Sequence, residues 1–528
     1  MLLALSMHYG STFLLRGSLN GSTQTGGKSK AGNASLAGQS FYQRSRRLRL
    51  ESPQQVTLQS IQCYILSSVY LLNAGSLHLA NTALAAGVRM AQILGLQETQ
   101  RSNTSSGPKQ ERLRSNIWTL LTMLDGYYAI MLGLPPIIQP VAEETLRIDI
   151  WQNNSHDRPS DALNQSGTWE YYQVLSMKLV HAAESVHSYF LHKQGDLLHQ
   201  GFASDLQSSP TFLESMAESI AQKLGNLRRW ADNVPPAMTI SRQGGGGPFS
   251  FVRDATHTLD LQVPLHIQQQ QLCLEIMYHH LNLLLLKSFV RPRHRQQHLR
   301  PMKQADSLSV SGLKHAISVT SILHQVFRRG DALTGWLFVF RCQWDATLYL
   351  LRYIAAYPGN PFVGDARRSL RAATDTFATM EKYLGAATSA QKIVQDMLGR
   401  EAARASTDIN VAPPNCIQGL DYVNTVTPGF MSPLSTFMGG GRDSLWDDHT
   451  YLSALSTEFS HSSIASAAQK NTLESFDTFG KAPNGVSPNN SLDIEGIMRS
   501  SMLGHQESDD MSEVYPWLGG RQSLPFNL

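Results

Sequence analysis

Cysteine is scarce in this chain and never closely paired. The four present, Cys63, Cys273, Cys342 and Cys416, are scattered through 528 residues without a Cys-x-x-Cys spacing. That pattern excludes a disulfide framework and a thiolate zinc site built within the chain. Three of them sit inside apolar helical runs, where a reduced, buried thiol is the expected state, and a reducing intracellular setting is read from this. Charge is sparse as well: 16% of residues, with a net of +3, so any basic function must come from local clusters. No uninterrupted apolar run approaches the ~18 residues needed to span a bilayer. The opening MLLALSMHYG lacks a basic start and is broken by His8, Tyr9 and Gly10, so it does not read as a signal peptide. A soluble chain with no membrane partner is expected.

Catalytic motifs are absent too. There is no nucleophile elbow, no zinc-protease motif and no dinucleotide glycine fingerprint. Gly26-Gly27-Lys28-Ser29 fails as a phosphate loop because Ser22 stands where a glycine is required and no apolar strand precedes it. His181, His187, His192 and His199 share no i, i+4 face, and His294 and His298 have no third ligand. No catalytic residue, cofactor or metal ligand is assigned in this chain.

What is present is helical periodicity on a 42% hydrophobic composition, compatible with a sizeable core. The organising stretch is Val56 to Pro136. Ile61, Ile65, Val69 and Leu72 recur at helical spacing, as do Leu84, Val88 and Ala91, and then Leu113, Ile117, Leu120, Leu124, Tyr128 and Met131. Three amphipathic helices are predicted, stopped by Asn73-Ala74-Gly75, by Gly95, and by Gly133 followed by Pro135-Pro136. Further helices are predicted over 168–192, 212–230 and 272–289, and then on stripes at Ala316 to Val326, Leu337 to Leu351 and Leu370 to Leu384. Strand signals are nearly absent and no repeat period stands out. Gly, Ser and Asn mark flexible loops near 17–40 and 240–255. From 411 onward Pro, Gly, Ser and Asn rise and apolar periodicity stops. The predicted fold class is all-α: an irregular multi-helix domain over 1–410 with a disordered C-terminal tail over 411–528.

Two basic clusters, Arg44 to Arg49 and residues 291–303, read as solvated surface in preference to a nuclear address or phosphate contacts. In the tail, Asp443 to Asp448, Leu473 to Asp477 and Glu507 to Leu518 mix carboxylates with aromatic or leucine side chains. Such segments either dock in a coactivator groove or are inert linker. The last, with Asp509, Asp510, Glu513, Tyr515, Trp517 and Leu518, leans towards activation. Asp509, Asp510 and Glu513 also faintly resemble the aspartate-rich metal motif of all-helical terpene cyclases, but in the tail and not on a core helix.

The residues of the organising stretch carry a resemblance. The run Ala83 to Leu96, containing Arg89-Met90-Ala91 and Leu94-Gly95-Leu96, is similar to the signature of the fungal transcription factor regulatory domain, the middle homology region of zinc binuclear cluster transcription factors. Arg114, Trp118, Leu124-Asp125 and Gly133-Leu134-Pro135 resemble its next element, with Leu134 standing where the family has Arg. Phe41 to Arg47 and Leu281 to Pro292 resemble flanking helices of the same region. The resemblance implies regulation of RNA polymerase II transcription in a fungal nucleus, as a homo- or heterodimer, with a coactivator or small-molecule effector as partner. It implies DNA binding through a zinc cluster, which needs six closely spaced cysteines that the four here do not supply. The chain is therefore expected either to be truncated at its N-terminus or to regulate without binding DNA itself. Within the signature, an arginine is expected to bridge to Asp125 between helices. An effector pocket would be lined by Trp118, Tyr127, Tyr128, Trp336 and Trp344. The rival readings are an all-helical enzyme of secondary metabolism and a non-DNA-binding dimerisation or scaffold module.

Overall fold

The computed structural model describes residues 1–10, 37–51, 56–98, 108–139, 165–199, 210–243, 247–251, 256–258, 263–291, 303–330 and 332–409. The chain divides into two units, Met1–Asp448 and His449–Leu528, and the described residues all lie in the first. Among them the architecture is helical. Residues 2–10 are followed by α1 (Gln39–Glu51), α2 (Leu58–Asn73), α3 (Leu77–Ile93), α4 (Pro108–Leu132), α5 (Gln165–His199), α6 (Pro210–Lys223) and α7 (Gly225–Asp232). After a two-stranded ribbon come α8 (Leu265–Leu286), α9 (Lys303–Arg329), α10 (Phe338–Ala356), α11 (Val363–Met380) and α12 (Gly385–Ile409). Among the described residues no helix is long and apolar enough to cross a membrane.

The three helices of the organising stretch form where their apolar spacing places them. α2 starts on a reciprocal cap: the Thr57 hydroxyl accepts from the Ser60 N–H at 3.2 Å while the Ser60 hydroxyl accepts from the Thr57 N–H at 2.9 Å. The stops are glycines in the left-handed region, Gly75 (φ +81), Gly95 (+66) and Gly133 (+69), where a side chain would be strained. Ile61, Ile65, Leu84, Val88, Ile117 and Leu121 are wholly buried between these helices.

α8 is the centre of the molecule. Its buried positions run almost continuously from Ile267 to Leu286, including Gln270, Glu275, His279, His280 and Asn282. A helix apolar nearly all round must be covered on every side, and α4, α5, α9 and α10 pack against it. It begins at Leu265, seven residues before the predicted start, because the glutamines of its first turns hide the apolar signal. Each fully buried leucine or isoleucine along it contributes about 2 kcal/mol.

Three further departures from the sequence-based expectation have local causes. The single helix predicted over 212–230 is interrupted at Leu224, beside Gly225, a weak helix former. Ser241–Gln243 and Thr256–Thr258 pair antiparallel, with Arg242 opposite His257, at the two ends of the stretch predicted as loop. α12 escapes prediction, since its buried stripe, Ala386, Ala387, Ala390 and Val394, is mostly alanine.

The N-terminal segment is fastened to α1 and α2. A Cβ on Gly38 (φ +73) would lie 2.4 Å from the Ala4 carbonyl oxygen, so only glycine permits that approach. His8 and Tyr42 both stack on Tyr70, at centroid distances of 4.2 and 4.7 Å, and the Tyr70 hydroxyl donates to the Ala37 carbonyl at 3.1 Å.

Candidate functional site

The signature residues gather at the two ends of the α3–α4 pair. At one end Arg114 donates from Nη2 to the Leu94 carbonyl at 2.8 Å, satisfying an acceptor that the end of α3 leaves open. Gly95 turns the chain and Leu96 is wholly buried beneath it. Arg89 is exposed and donates to the Gln92 side chain at 3.3 Å; Met90 is half-buried.

At the other end Asp125, 1% exposed, accepts from the backbone N–H groups of Ile137 and Ile138 at 2.8 and 2.7 Å. These bonds close the turn Gly133-Leu134-Pro135-Pro136 over the end of α4. The expected arginine bridge is therefore not formed: Arg114 spends its guanidinium on the Leu94 carbonyl and Arg89 faces solvent, while two peptide donors neutralise the need of Asp125 for a partner. Leu134, in place of the family's Arg, is exposed, and its carbonyl accepts from His187 Nε2 at 2.9 Å.

That histidine belongs to a pair on α5 that sequence patterning does not single out. Glu184 and His187 sit one turn apart on the buried face with Ala183 and Val186. A Cβ on Gly126 would be 2.9 Å from Val180 Cγ1 and 3.1 Å from Glu184 Oε2, so α4 and α5 touch at this glycine. Burial, and then the charge of Asp125, push the Glu184 carboxyl up to about 7. Burial also raises Asp125, against the two N–H groups that hold it down. Burial lowers His187, with the Leu134 carbonyl opposing and Lys287 adding to the fall.

One residue further along α4, Tyr127 joins a second network. Its hydroxyl meets His280 Nδ1 at 2.8 Å, His280 Nε2 meets Asp345 Oδ2 at 2.9 Å, and Arg341 Nε donates to the same oxygen at 2.9 Å. Burial alone would lower His280, but the Cys342 sulfur and the Asp345 carboxylate outweigh it and raise it to about 9. Asp345, desolvated but flanked by Arg341 and His280, is held below the ordinary carboxylate range. A protonated imidazole here donates one N–H to Tyr127 and the other to Asp345, and the network ties α4 through α8 to α10.

The five residues expected to line an effector pocket do not all face one space. Trp344 is 1% exposed and packs on Phe377, at 6.2 Å, between α10 and α11. Tyr127 turns to His280. Trp118 is half-buried on α4. Tyr128 is wholly buried and its hydroxyl accepts from Ser68 Oγ at 3.2 Å, and Trp336 stands edge-on to Tyr9 at 6.4 Å. A hollow of about 380 Å³ lies elsewhere, at His324, Gln325, Arg328 and Arg329 on α9.

Among the described residues no group of three or more His, Cys, Asp or Glu side chains could hold a metal ion. A zinc cluster does not fit the thiols present: Cys63, Cys273 and Cys342 lie on three different helices, and burial raises the Cys273 thiol, opposing the thiolate that zinc needs. Arg44, Arg46 and Arg47 lie on α1 with at least part of each in solvent, whereas Arg49 lies over the Tyr64 ring at 4.6 Å. Of the 291–303 cluster, Arg291 and Lys303 are described: Arg291 pairs with Asp306 at 3.6 Å, and Lys303 is exposed at the start of α9. Asp509, Asp510, Glu513, Tyr515, Trp517 and Leu518 lie outside the described residues.

Comparison with known proteins gives this arrangement its context. Residues 2–219 match the fungal specific transcription factor domain. The chain is 27% identical over 391 residues to the terreic acid cluster-specific transcription factor of Aspergillus terreus, covering 72% of this chain and 58% of that protein. It is 29% identical over 381 residues to a transcription factor of Emericella nidulans, covering 70% and 65%. It is 24% identical over 452 residues to the oosporein cluster regulator of Beauveria bassiana, covering 77% and 56%. The chain thus spans roughly three-fifths of the length of these relatives. No solved structure matches. Arg114, Asp125 and the turn after Gly133 all fall inside the matched region, and with it the enzyme reading gives way: what residues 2–219 are similar to is a regulatory domain of transcription factors, and the relatives matched are transcription factors and not enzymes.

Proposed function

We propose that this chain is the regulatory part of a nuclear transcription factor that controls a cluster of co-regulated genes. The observation that carries the reading is the family match over residues 2–219 together with relatives that are themselves cluster regulators. The regulatory unit extends past the matched region to about residue 410, since α8 to α11 share one core with α2 to α5. DNA is read through a zinc cluster that the four cysteines of these 528 residues do not supply, by a homo- or heterodimer. The acidic and aromatic residues Asp509 to Leu518 recruit a coactivator. Arg114 and Asp125 serve by fixing the ends of the α3–α4 pair, not by binding an effector.

Transcript profiling after deletion and after overexpression of the gene tests this. A contiguous group of genes is expected to fall and rise together. Unchanged transcripts in both strains would remove the regulatory reading, and a turned-over small-molecule substrate in place of a transcript change would revive the enzyme.

A further inference from the structure

Two short stretches of chain, Ser241–Gln243 and residues 247–251, reach across α8 and α9, apart from the signature turns and the His280 network. Arg242, whose side chain is 4% exposed, pairs with Glu275 of α8 and donates from Nη1 to the Ser250 carbonyl at 2.8 Å and hydroxyl at 3.0 Å. One buried guanidinium thus fastens both stretches to α8. Phe251 sits edge-on to His315 of α9 at 4.6 Å and tilted against His279 of α8 at 5.9 Å. Itself 39% exposed, Phe251 stands between those rings and water.

Beneath Phe251 two buried imidazoles meet, with His279 Nδ1 and His315 Nδ1 2.9 Å apart. At that distance one nitrogen carries a proton and the other offers its lone pair. The pair can hold one positive charge by a change of tautomer, but two charges would set N–H against N–H. The charged and titratable groups around it come from every packed element. Glu275 has Oε1 3.9 Å from His279 Nε2 and is paired to Arg242; Lys314 Nζ lies over the Phe251 ring at 5.9 Å. The Tyr278 ring lies 5.2 and 5.8 Å from His279 and His315, and Arg228 and Asp232 act from α7. Three cations against two carboxylates offer nothing to hold a second charge on the pair.

The covering stretch is also strained. Phe249 has φ +59, in the left-handed region that a bulky side chain avoids, and among the described residues no other residue but glycine has a positive φ. Its buried ring holds it there, packed on Trp230 at 5.3 Å and on Tyr278 at 5.2 Å. Lifting the stretch relieves that strain and lets water reach both imidazoles. Closure is kept by the Arg242 pair and the aromatic contacts.

We propose that Ser241–Gln243 and residues 247–251 form a strap that acid releases: lifting Phe251 admits water to His279 and His315, and each then takes a proton that the closed pair cannot hold together. Burial, and then the charge of Arg228, hold the His315 imidazole down to about 3 while the strap is closed, against its ordinary 6.5. Closure is therefore favoured in full above about 6.5 and loses ground as pH falls through that value towards 3. Between about pH 7.5 and about pH 5, one such histidine multiplies the open population about thirtyfold. The switch is a property of the fold and goes beyond the regulatory reading.

Hydrogen exchange of the purified full chain, read by mass spectrometry at about pH 7.5 and about pH 5 and corrected for intrinsic rates, tests the strap. Exchange in residues 241–243 and 247–251 is expected to rise about thirtyfold or more on acidification, while α8 stays protected. His279→Asn with His315→Asn puts an amide near each Nδ1, so that one hydrogen bond is kept and both titrations are removed; the rise is expected to vanish. Circular dichroism establishes that this variant is folded, and if it is not, His315→Asn alone decides, with a rise several-fold smaller than in the wild type. No rise in the wild type, a rise shared equally by α8, or an undiminished rise in the folded variant overturns the switch. The last would assign the release to protonation of Glu275 and loss of its pair with Arg242.

Discussion

Asp125 accepts the backbone N–H of Ile138 at 2.7 Å, thirteen residues further along the chain, and so closes the turn that ends the signature helix. With the Ile137 N–H at 2.8 Å it is the acceptor for two peptide donors in a buried setting. Asp125→Ala leaves both without that acceptor. A loss of about 2–4 kcal/mol is expected, read as a fall in melting temperature, with a smaller fall for Asp125→Asn, whose amide oxygen still accepts. Equal stability of wild type and Asp125→Ala would show that water or a rearranged turn replaces the carboxylate.

Glu184 gives the same region a pH dependence. Its carboxyl is raised from 4.5 to about 7 in the folded chain, by burial first and by Asp125 second. A raised pKa means that the folded state holds the proton more tightly, so the associated stability is present in full below the unfolded value and is lost as pH rises through about 7. The size is on the order of 3 kcal/mol. Melting temperatures of wild type and Glu184→Gln across that window check it: the curve of the variant is expected to be flatter, and parallel curves would remove Glu184 as the cause.

Gly126 is where α4 and α5 come closest. Gly126→Ala sets a Cβ 2.9 Å from Val180 Cγ1 and 3.1 Å from Glu184 Oε2. The expected cost is about 1–3 kcal/mol of overpacking, partly relieved in Gly126→Ala with Val180→Ala. Denaturant melts of the single and double variants measure the relief, and its absence would mean the helices separate without strain.

The signature itself is legible in the sequence because helical spacing and glycine stops are local properties: Ile61 to Leu72, Gly95 and Gly133 fold where that spacing places them. The partners of its charged residues are not legible. Arg114 and Asp125 are satisfied by backbone groups, the Leu94 carbonyl and the Ile137 and Ile138 N–H, and every residue carries such groups, so sequence offers no preference among them. Glu184 and His187 do leave a trace, two polar residues on the same face as Ala183 and Val186, but a polar interruption of an apolar stripe reads as surface until its burial is known. Tyr9 reads in the N-terminal run as a break in apolarity; only packing brings it to Asn73, sixty-four residues away.

His280 offers a second pH window. Desolvation opposes its charge, but Cys342 and Asp345 raise it from 6.5 to about 9. The stability it carries is present below 6.5 and lost as pH rises through about 9. Asp345→Asn removes the carboxylate and leaves a buried cation, at an expected cost of about 3–5 kcal/mol near neutral pH. Asp345→Asn with His280→Gln is expected to recover part of that loss; recovery of none would mean the imidazole is not charged in the wild type.

The central claim is that this chain regulates transcription, and a promoter-tethering measurement tests it most directly. The full chain is joined to a heterologous DNA-binding domain, and reporter transcript is measured against the DNA-binding domain alone, with a second fusion that ends at residue 410. The account expects a nuclear fusion that changes reporter transcription, with the change reduced when residues 411–528 are removed. A full-length fusion that is expressed, nuclear and bound at the promoter, yet leaves the reporter at the level of the DNA-binding domain alone, would contradict it.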